Sequence, residues 1–181
     1  MPNLTFVPAQ TTDAEAVSAL VNAAYRGESS RQGWTTEADL LLGLRTTSED
    51  LLSLLADDHT LLLLCKQDEA VLASLALLRQ QQQVEMSLFA VSPQHQAMGI
   101  GKRLLQHAEQ TAIQNWSATR AVMSVISCRH ELIAFYQRRG YRLTGEQKPF
   151  PVNPALWTPM VNGLMLTILA KELPQDQSAG G

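Results

Sequence analysis

The chain has 181 residues, 45% hydrophobic and 17% charged, with a formal net charge of −3, which suits one globular domain with a core of its own. The mildly acidic balance offers no global basic field, so neither nucleic acid nor an anionic membrane is an expected partner. The longest apolar run, "AVLASLALL", is too short to span a bilayer, the start of the chain shows no secretory pattern, and a cytoplasmic location is expected.

Read in chain order, "LTFVP" is a first strand. Thr12 and Glu15 form a capping box for a helix whose apolar residues Ala16, Leu20, Val21 and Ala24 fall at helical spacing. After the polar "YRGESSRQGW" a second helix is predicted over "TEADLLLGLR", and a short third one over "EDLLSLLAD", capped by Thr46 and Glu49. The pattern then changes. "TLLLLCK", "AVLASLALLR" and "QVEMSLFAV" are apolar runs parted by polar turns, which predicts an antiparallel meander. Past Gly99 and Gly101 a helix carries Leu104, Leu105, Ala108, Ala112 and Ile113 on one face. "RAVMSVIS" is a buried strand, and "HELIAFYQRR" an amphipathic helix stopped by Gly140. "YRLTGEQ" is a strand, "KPFPVNPALWTP" a proline-rich loop and "GLMLTILAKEL" a last strand. The order is α+β in one domain, residues 1–173, with a tail at 174–181 that is expected to be disordered.

Two glycines one residue apart, at the point where a strand gives way to a helix, ask for an explanation, because glycine costs about 0.5–1 kcal/mol relative to alanine in regular structure. A Walker loop is excluded: Gln96 stands where its first glycine belongs and Arg103 where its hydroxyl belongs. A dinucleotide fingerprint fits poorly, since its third glycine is Leu104 and the preceding strands form a meander. A helix N-terminus does offer unpaired N–H groups and partial positive charge to a phosphate, and Lys102 and Arg103 add charge there. A tight turn with nothing bound is the plain alternative. The four histidines form no H-x-x-x-H pair and the two cysteines, Cys65 and Cys128, lack ligand spacing, so no metal site is expected and both thiols read as reduced core residues.

The stretch "QAMGIG", with Gln96, Gly99 and Gly101, resembles the acetyl-CoA signature of the GCN5-related N-acetyltransferase (GNAT) superfamily, Gln/Arg-x-x-Gly-x-Gly/Ala. "LIAFYQRRGYR" resembles the segment around that family's tyrosine, a helix ending in Y-x-x-x-G-[FY]. Two motifs in the right order are more specific than either alone. The resemblance implies the acyl-CoA N-acyltransferase fold, a mixed sheet of about seven strands flanked by helices and splayed between its fourth and fifth strands. It implies acetyl-CoA as co-substrate, with the pantetheine arm along Phe89, Ala90 and Val91. The pyrophosphate would lie against Gln96, Ala97, Met98, Gly99, Ile100, Gly101, Lys102 and Arg103.

Acetyl transfer to an amine needs a proton removed, because a lysine-like amine with pKa near 10.4 is less than about 0.1% free base at pH 7. Glu85 is the charge in the apolar "VEMSLFAV" and matches the offset of the family's base, five residues before Ala90; alternatively it faces solvent beside a glutamine-rich hairpin. Alternation places Glu85, Ser87 and Phe89 on one face of that strand. Tyr136 matches the tyrosine that protonates the leaving thiolate, or else it is an ordinary core residue, with Tyr141 packing behind the helix. The family's asparagine seven residues before the tyrosine is Arg129 here, which is suited to a cofactor phosphate, to an acceptor carboxylate or to a helix start. Trp34 and Trp157, in the two segments that grip the acceptor in relatives, are the candidate substrate-binding residues; burial that ties each loop down is the alternative.

The function expected is an N-acetyltransferase that moves acetyl from acetyl-CoA to a primary amine of a small molecule by direct attack. The alternatives are a non-catalytic acyl-CoA-binding or regulatory module, or an acetyltransferase of protein N-termini or lysines. Homodimers are common in the family, although nothing in this sequence requires one.

Overall fold

In a computed structural model, which describes residues 3–175, the meander forms as the apolar runs and polar turns predict. Strands β1 (Leu4–Pro8), β3 (Thr60–Gln67), β4 (Ala70–Gln80) and β5 (Gln83–Val91) pair antiparallel in the order β1-β3-β4-β5. The sheet continues through β6 (Arg120–Ile126) and β9 (Met165–Glu172) to β7 (Arg142–Pro149) at the far edge. β5 and β6 form its one parallel pair. Among the described residues these make a seven-stranded mixed sheet, flanked by α1 (Ala14–Tyr25), α2 (Ser48–Leu55), α3 (Ile100–Trp116) and α4 (His130–Gln137). The expected tail lies mostly outside the described residues. No described helix is long and apolar enough to cross a membrane.

The sheet has a core on each side. Leu63, Cys65, Leu75 and Leu77 pack with Leu104, Leu105, Ala108 and Ala112 of α3 and with Leu132 and Tyr136 of α4. On the other side Leu62, Leu64 and Ala76 pack with Val17, Val21 and Ala24 of α1 and Leu51 of α2. β4 sits between both layers, and six consecutive residues of it are buried, as expected of a strand covered on both faces.

Three expectations need correction. Residues 36–45 form no helix. Glu37 starts a turn, accepting from the N–H groups of Leu40 and Leu41, and Leu41–Gly43 becomes β2, paired with β8 (Trp157–Pro159) from the proline-rich loop. Gly43 permits that pairing: its φ is +105°, and a Cβ there would lie 2.2 Å from the Leu156 carbonyl oxygen. The helix caps shift too. Gln10 N–H donates to Asp13 Oδ2 (2.8 Å) ahead of α1, and Thr47 Oγ1, not Thr46, accepts from Asp50 N–H at 3.2 Å to cap α2. Cys65 is buried but Cys128 is exposed, in the turn between β6 and α4.

Candidate active site

The site begins where β5 leaves β6. Their pairing covers only Gln83–Met86 against Arg120–Met123, so from Ser87 onward the two strands part. β5 also carries a bulge here: Ala76 faces Ser87 but Ser74 faces Ala90, one extra residue on the β5 side. Leu88 sits in the bulge at φ +50°, and its carbonyl accepts from Ser74 Oγ (2.9 Å). The bulge exchanges the faces of the strand. Val84 and Met86 lie in the α3-side core, whereas Leu88 and Ala90 lie in the α1-side core, and Phe89 and Val91 pack against the α3 side. Phe89 is therefore not on the face of Glu85 and Ser87, as simple alternation predicts.

Ser92 N–H donates to Leu72 O across β4 (2.8 Å), so two-residue repetition turns the backbone groups of Phe89 and Val91 toward the opening. The Phe89 carbonyl accepts from Tyr25 Oη. The Val91 carbonyl accepts from Gln96 Nε2 (3.0 Å), and Gln96 also donates to Thr35 Oγ1 (2.8 Å) and accepts from Trp34 N–H at 2.8 Å. The Gln96 side chain thus laces the segment after α1 to the end of β5.

The glycine pair opens α3. Gly99 is its N-cap, at φ +79° and ψ 2°, a left-handed conformation that a side chain disfavours. Nothing lies within 4 Å of where its Cβ would be, so the space beside the start of the helix is open at Gly99. A Cβ on Gly101 would fall 3.4 Å from Phe89 and from Val91, in a cleft of about 370 Å³ whose walls include Trp34, Val91, Phe135 and Lys102. Arg138 and Arg139 add two cations to its rim; the Arg139 guanidinium carbon lies 3.5 Å from the Phe135 ring centre. The Trp34 and Phe135 rings pack tilted at 45°, 5.7 Å between centroids.

A second cleft, of about 290 Å³, lies on the other side of the opening and shares Tyr25, Phe89, Leu132 and Tyr136 with the first. Tyr136 is 5% exposed. Its hydroxyl hydrogen-bonds to no described residue and is not sealed from the clefts, whereas Tyr141 behind it donates to Glu109 Oε2 (3.2 Å). Burial pushes the Tyr136 phenol well above its ordinary pKa, the neighbouring Tyr25 adds to the rise, and Arg129 and Arg139 oppose it. Tyr25 is likewise pushed up to about 12, first by burial. Both phenols stay protonated at neutral pH. Glu85 borders this second cleft and its Oε2 accepts from the Gln80 amide at 3.1 Å. Glu37 is bound on both oxygens, by Arg26 Nε (3.3 Å) and by Arg129 Nη1 (3.2 Å). Trp157 of β8 lines this cleft, and its ring lies 5.7 Å from the Arg26 guanidinium.

A sequence model described as the Acetyltransferase (GNAT) family matches residues 15–141, a span holding the glycine-capped helix, the splayed strand pair and Tyr136. The chain belongs to the GNAT acetyltransferase family. It is accordingly an acyltransferase, and its solved neighbours share the GNAT fold. The ribosomal-protein-S18-alanine N-acetyltransferase of Escherichia coli aligns with a TM-score of 0.72 at 14% identity, over 96% of each chain. The putative acetyltransferase yncA of Salmonella typhimurium, solved with acetyl-CoA, aligns at 0.70 and 19% identity, again over 96% of each. The paia N-acetyltransferase of Thermoplasma acidophilum, solved with coenzyme A, aligns at 0.65 and 15% identity over 94% of this chain and 99% of that one. No curated protein matches the sequence significantly.

Within this GNAT fold the site candidates separate. Phe89, Val91, Gln96, Ala97, Gly99, Gly101 and Lys102 line the first cleft. Ile100 and Ala90 are buried in the cores, and Met98 is exposed outside the cleft walls. Arg103 turns away, its guanidinium carbon 5.1 Å from the Phe6 ring centre. Arg129, considered for the cofactor, borders the second cleft and pairs with Glu37; Trp34, considered for the acceptor, borders the first. Cys128 borders neither. Tyr25 and Arg45 were not among the candidates, although both line the second cleft. Tyr25 ends a helix with apolar spacing and reads as core. Among the described residues no cluster of three or more metal-ligating side chains occurs.

Proposed function

We propose that this GNAT acetyltransferase transfers acetyl from acetyl-CoA to the primary amine of a small molecule by direct attack on the thioester. The observation that carries the reading is the opening between β5 and β6, where two clefts of different chemistry meet at Phe89 and Tyr136. The first fits acetyl-CoA: open space at Gly99, unpaired N–H groups at the start of α3, and Lys102, Arg138 and Arg139 for the phosphates. The backbone N–H groups of Phe89 and Val91 face the place of the pantetheine arm. The second cleft takes the amine.

Glu85 is the base. Glu37, the other carboxylate there, is committed to two arginines, whereas Glu85 faces no cation within ion-pair distance among the described residues. Glu85 takes a proton from the ammonium, directly or through water, and the freed nitrogen attacks the thioester carbonyl carbon. The C–N bond forms and the C–S bond breaks as Tyr136 gives its phenolic proton to the departing sulfur. The second proton on the nitrogen leaves through water and restores Tyr136, and solvent takes the proton from Glu85. A small acceptor is favoured by the modest volume of the cleft, about 290 Å³, with Phe150, Pro151 and Trp157 among its lining residues.

The test is thiol release from acetyl-CoA across a panel of amines and peptides, with calorimetry of acetyl-CoA binding. Glu85→Gln and Tyr136→Phe should each lower kcat by roughly 10²–10⁴-fold while acetyl-CoA affinity is kept, and Gly101→Glu should abolish binding. Binding without release for any acceptor would make the protein a non-catalytic acyl-CoA module. Release with peptides alone would make it a protein acetyltransferase.

A further inference from the structure

The second cleft is bordered by three arginines, Arg26, Arg45 and Arg129, and two glutamates, Glu37 and Glu85. Most of that charge is already used. Arg26 gives Nε to Glu37 and Nη1 to the Leu44 carbonyl (3.0 Å), and Arg129 gives Nη1 to the other Glu37 oxygen. These two arginine side chains are 3% and 8% exposed, and Glu37 is 11% exposed between them. The triad is a frame that holds the segment after α1 against the start of α4, and it has little left to offer a ligand.

Arg45 is different. Its backbone is anchored, with its N–H donating to Asn22 Oδ1 at 2.7 Å, but among the described residues its guanidinium has neither an ion pair nor a hydrogen bond, although the residue is half-buried. It stands where the cleft opens into an adjoining hollow of about 330 Å³, which it borders together with Ser87, Leu88, Trp157 and Asp50, a carboxylate with which it forms no ion pair. Glu85 lies two residues from Ser87 along β5, roughly 7 Å at the rise of a strand. One cation and one carboxylate, neither neutralised by a counter-ion of the protein, thus border a single small cleft.

Resting on the acetyltransferase reading above, we propose that the acceptor is a small zwitterion, a primary amine that also carries a carboxylate, with Arg45 holding the carboxylate and Glu85 receiving the ammonium proton. A guanidinium binds a carboxylate through two parallel N–H···O bonds, and a partly desolvated arginine without a counter-ion is costly until one arrives. A protein N-terminus offers an amide where this acceptor offers a carboxylate, so it would leave Arg45 unanswered.

The experiment compares three acceptors with one side chain in common: the free amino acid, its carboxamide and the decarboxylated amine, for several side chains and for longer ω-amino acids. Thiol release should favour the carboxylate form, and Arg45→Gln should cut kcat/KM for that form by about 10–100-fold, mainly through KM, so that the three acceptors converge. Arg45→Lys should restore part of the preference, and acetyl-CoA affinity should be the same in all three proteins. Equal turnover of the three acceptors by the wild-type protein, or an equal loss for all three in Arg45→Gln, would overturn the proposal. So would a peptide amide with a free N-terminus outcompeting the free amino acids. If acetyl-CoA itself fails to bind, the acetyltransferase reading falls separately. Titration of the carboxylate amines into the free protein then decides the present one: binding lost in Arg45→Gln supports it, and no binding at all overturns it.

Discussion

Replacing Glu37 by alanine is the most direct test of how the acceptor side is held together. Glu37 receives Arg26 Nε at 3.3 Å and Arg129 Nη1 at 3.2 Å, joining residues 11 and 92 positions away in the chain. Without the carboxylate, two guanidiniums that are almost out of water face each other with no counter-charge. Burial already pulls the Arg26 pKa down, and Glu37 is what works against it. Removing one partner of a buried ion pair costs about 3–5 kcal/mol. Here one carboxylate serves two cations, but the Leu44 carbonyl still receives Arg26, so a loss of about 4 kcal/mol is expected. With a urea m-value of about 2 kcal/mol/M, the unfolding midpoint should fall by about 2 M. Glu37→Gln keeps the shape and one oxygen and should lose less. Pairing Glu37→Ala with Arg129→Met should recover part of the loss, since one stranded cation is gone. A cost for Glu37→Ala below about 1 kcal/mol, typical of exposed pairs, would show that the triad is solvated and would refute its framing role.

Gln96→Ala removes three hydrogen bonds, to Trp34 N–H, Thr35 Oγ1 and the Val91 carbonyl. At about 0.5–1.5 kcal/mol each it should cost roughly 2–3 kcal/mol in urea unfolding, and it should weaken acetyl-CoA binding, because Trp34 and Val91 both border that cleft; unaltered stability would mean the lacing is idle. Gly99→Val meets no steric clash but forces a branched residue into positive φ, a cost of about 1–2 kcal/mol. A drop in Tm of about 2–8 °C should follow, with Gly99→Asn milder, and equal drops for the two would argue against a conformational cause. Asp13 gives a pH signature. Partial burial raises its carboxyl pKa, but the Gln10 N–H and the Lys66 ammonium at 2.8 Å outweigh this and hold it below the ordinary value. A depressed folded-state pKa stabilises above the unfolded value near 3.9 and is lost as pH falls through the folded one. The stability advantage of wild type over Asp13→Asn should therefore be constant from pH 7 to 5 and shrink below about pH 4; an advantage that persists undiminished at pH 2 would contradict it.

Much of the scaffold was legible because it follows from local rules. Apolar runs parted by polar turns marked β3, β4 and β5, helical spacing marked α3, and the paired glycines marked the strand-to-helix junction, where Gly99 takes a φ that few other residues accept. The local rules failed where a distant partner outweighed them. "TEADLLLGLR" has helix-forming composition, yet Leu41–Gly43 pairs with Trp157–Pro159, more than a hundred residues on. Alternation along β5 holds up to the bulge at Leu88 and is reversed after it, because the register against β4 and the separation from β6 act together at that point. The site depends on the same kind of contact. Tyr25 reaches the Phe89 carbonyl across 64 residues, and Arg129 finds Glu37 where the sequence alone leaves phosphate, carboxylate and helix start equally open. Patterning within a strand or helix reports which face is apolar: in α1 it placed Leu20, Val21 and Ala24 on the buried face, though it took the exposed Ala16 where Ala14 and Val17 are buried. Which charges neutralise one another, and so which ones remain for a ligand, is set by distances between elements, and only the assembled sheet with its two layers of helices supplies those.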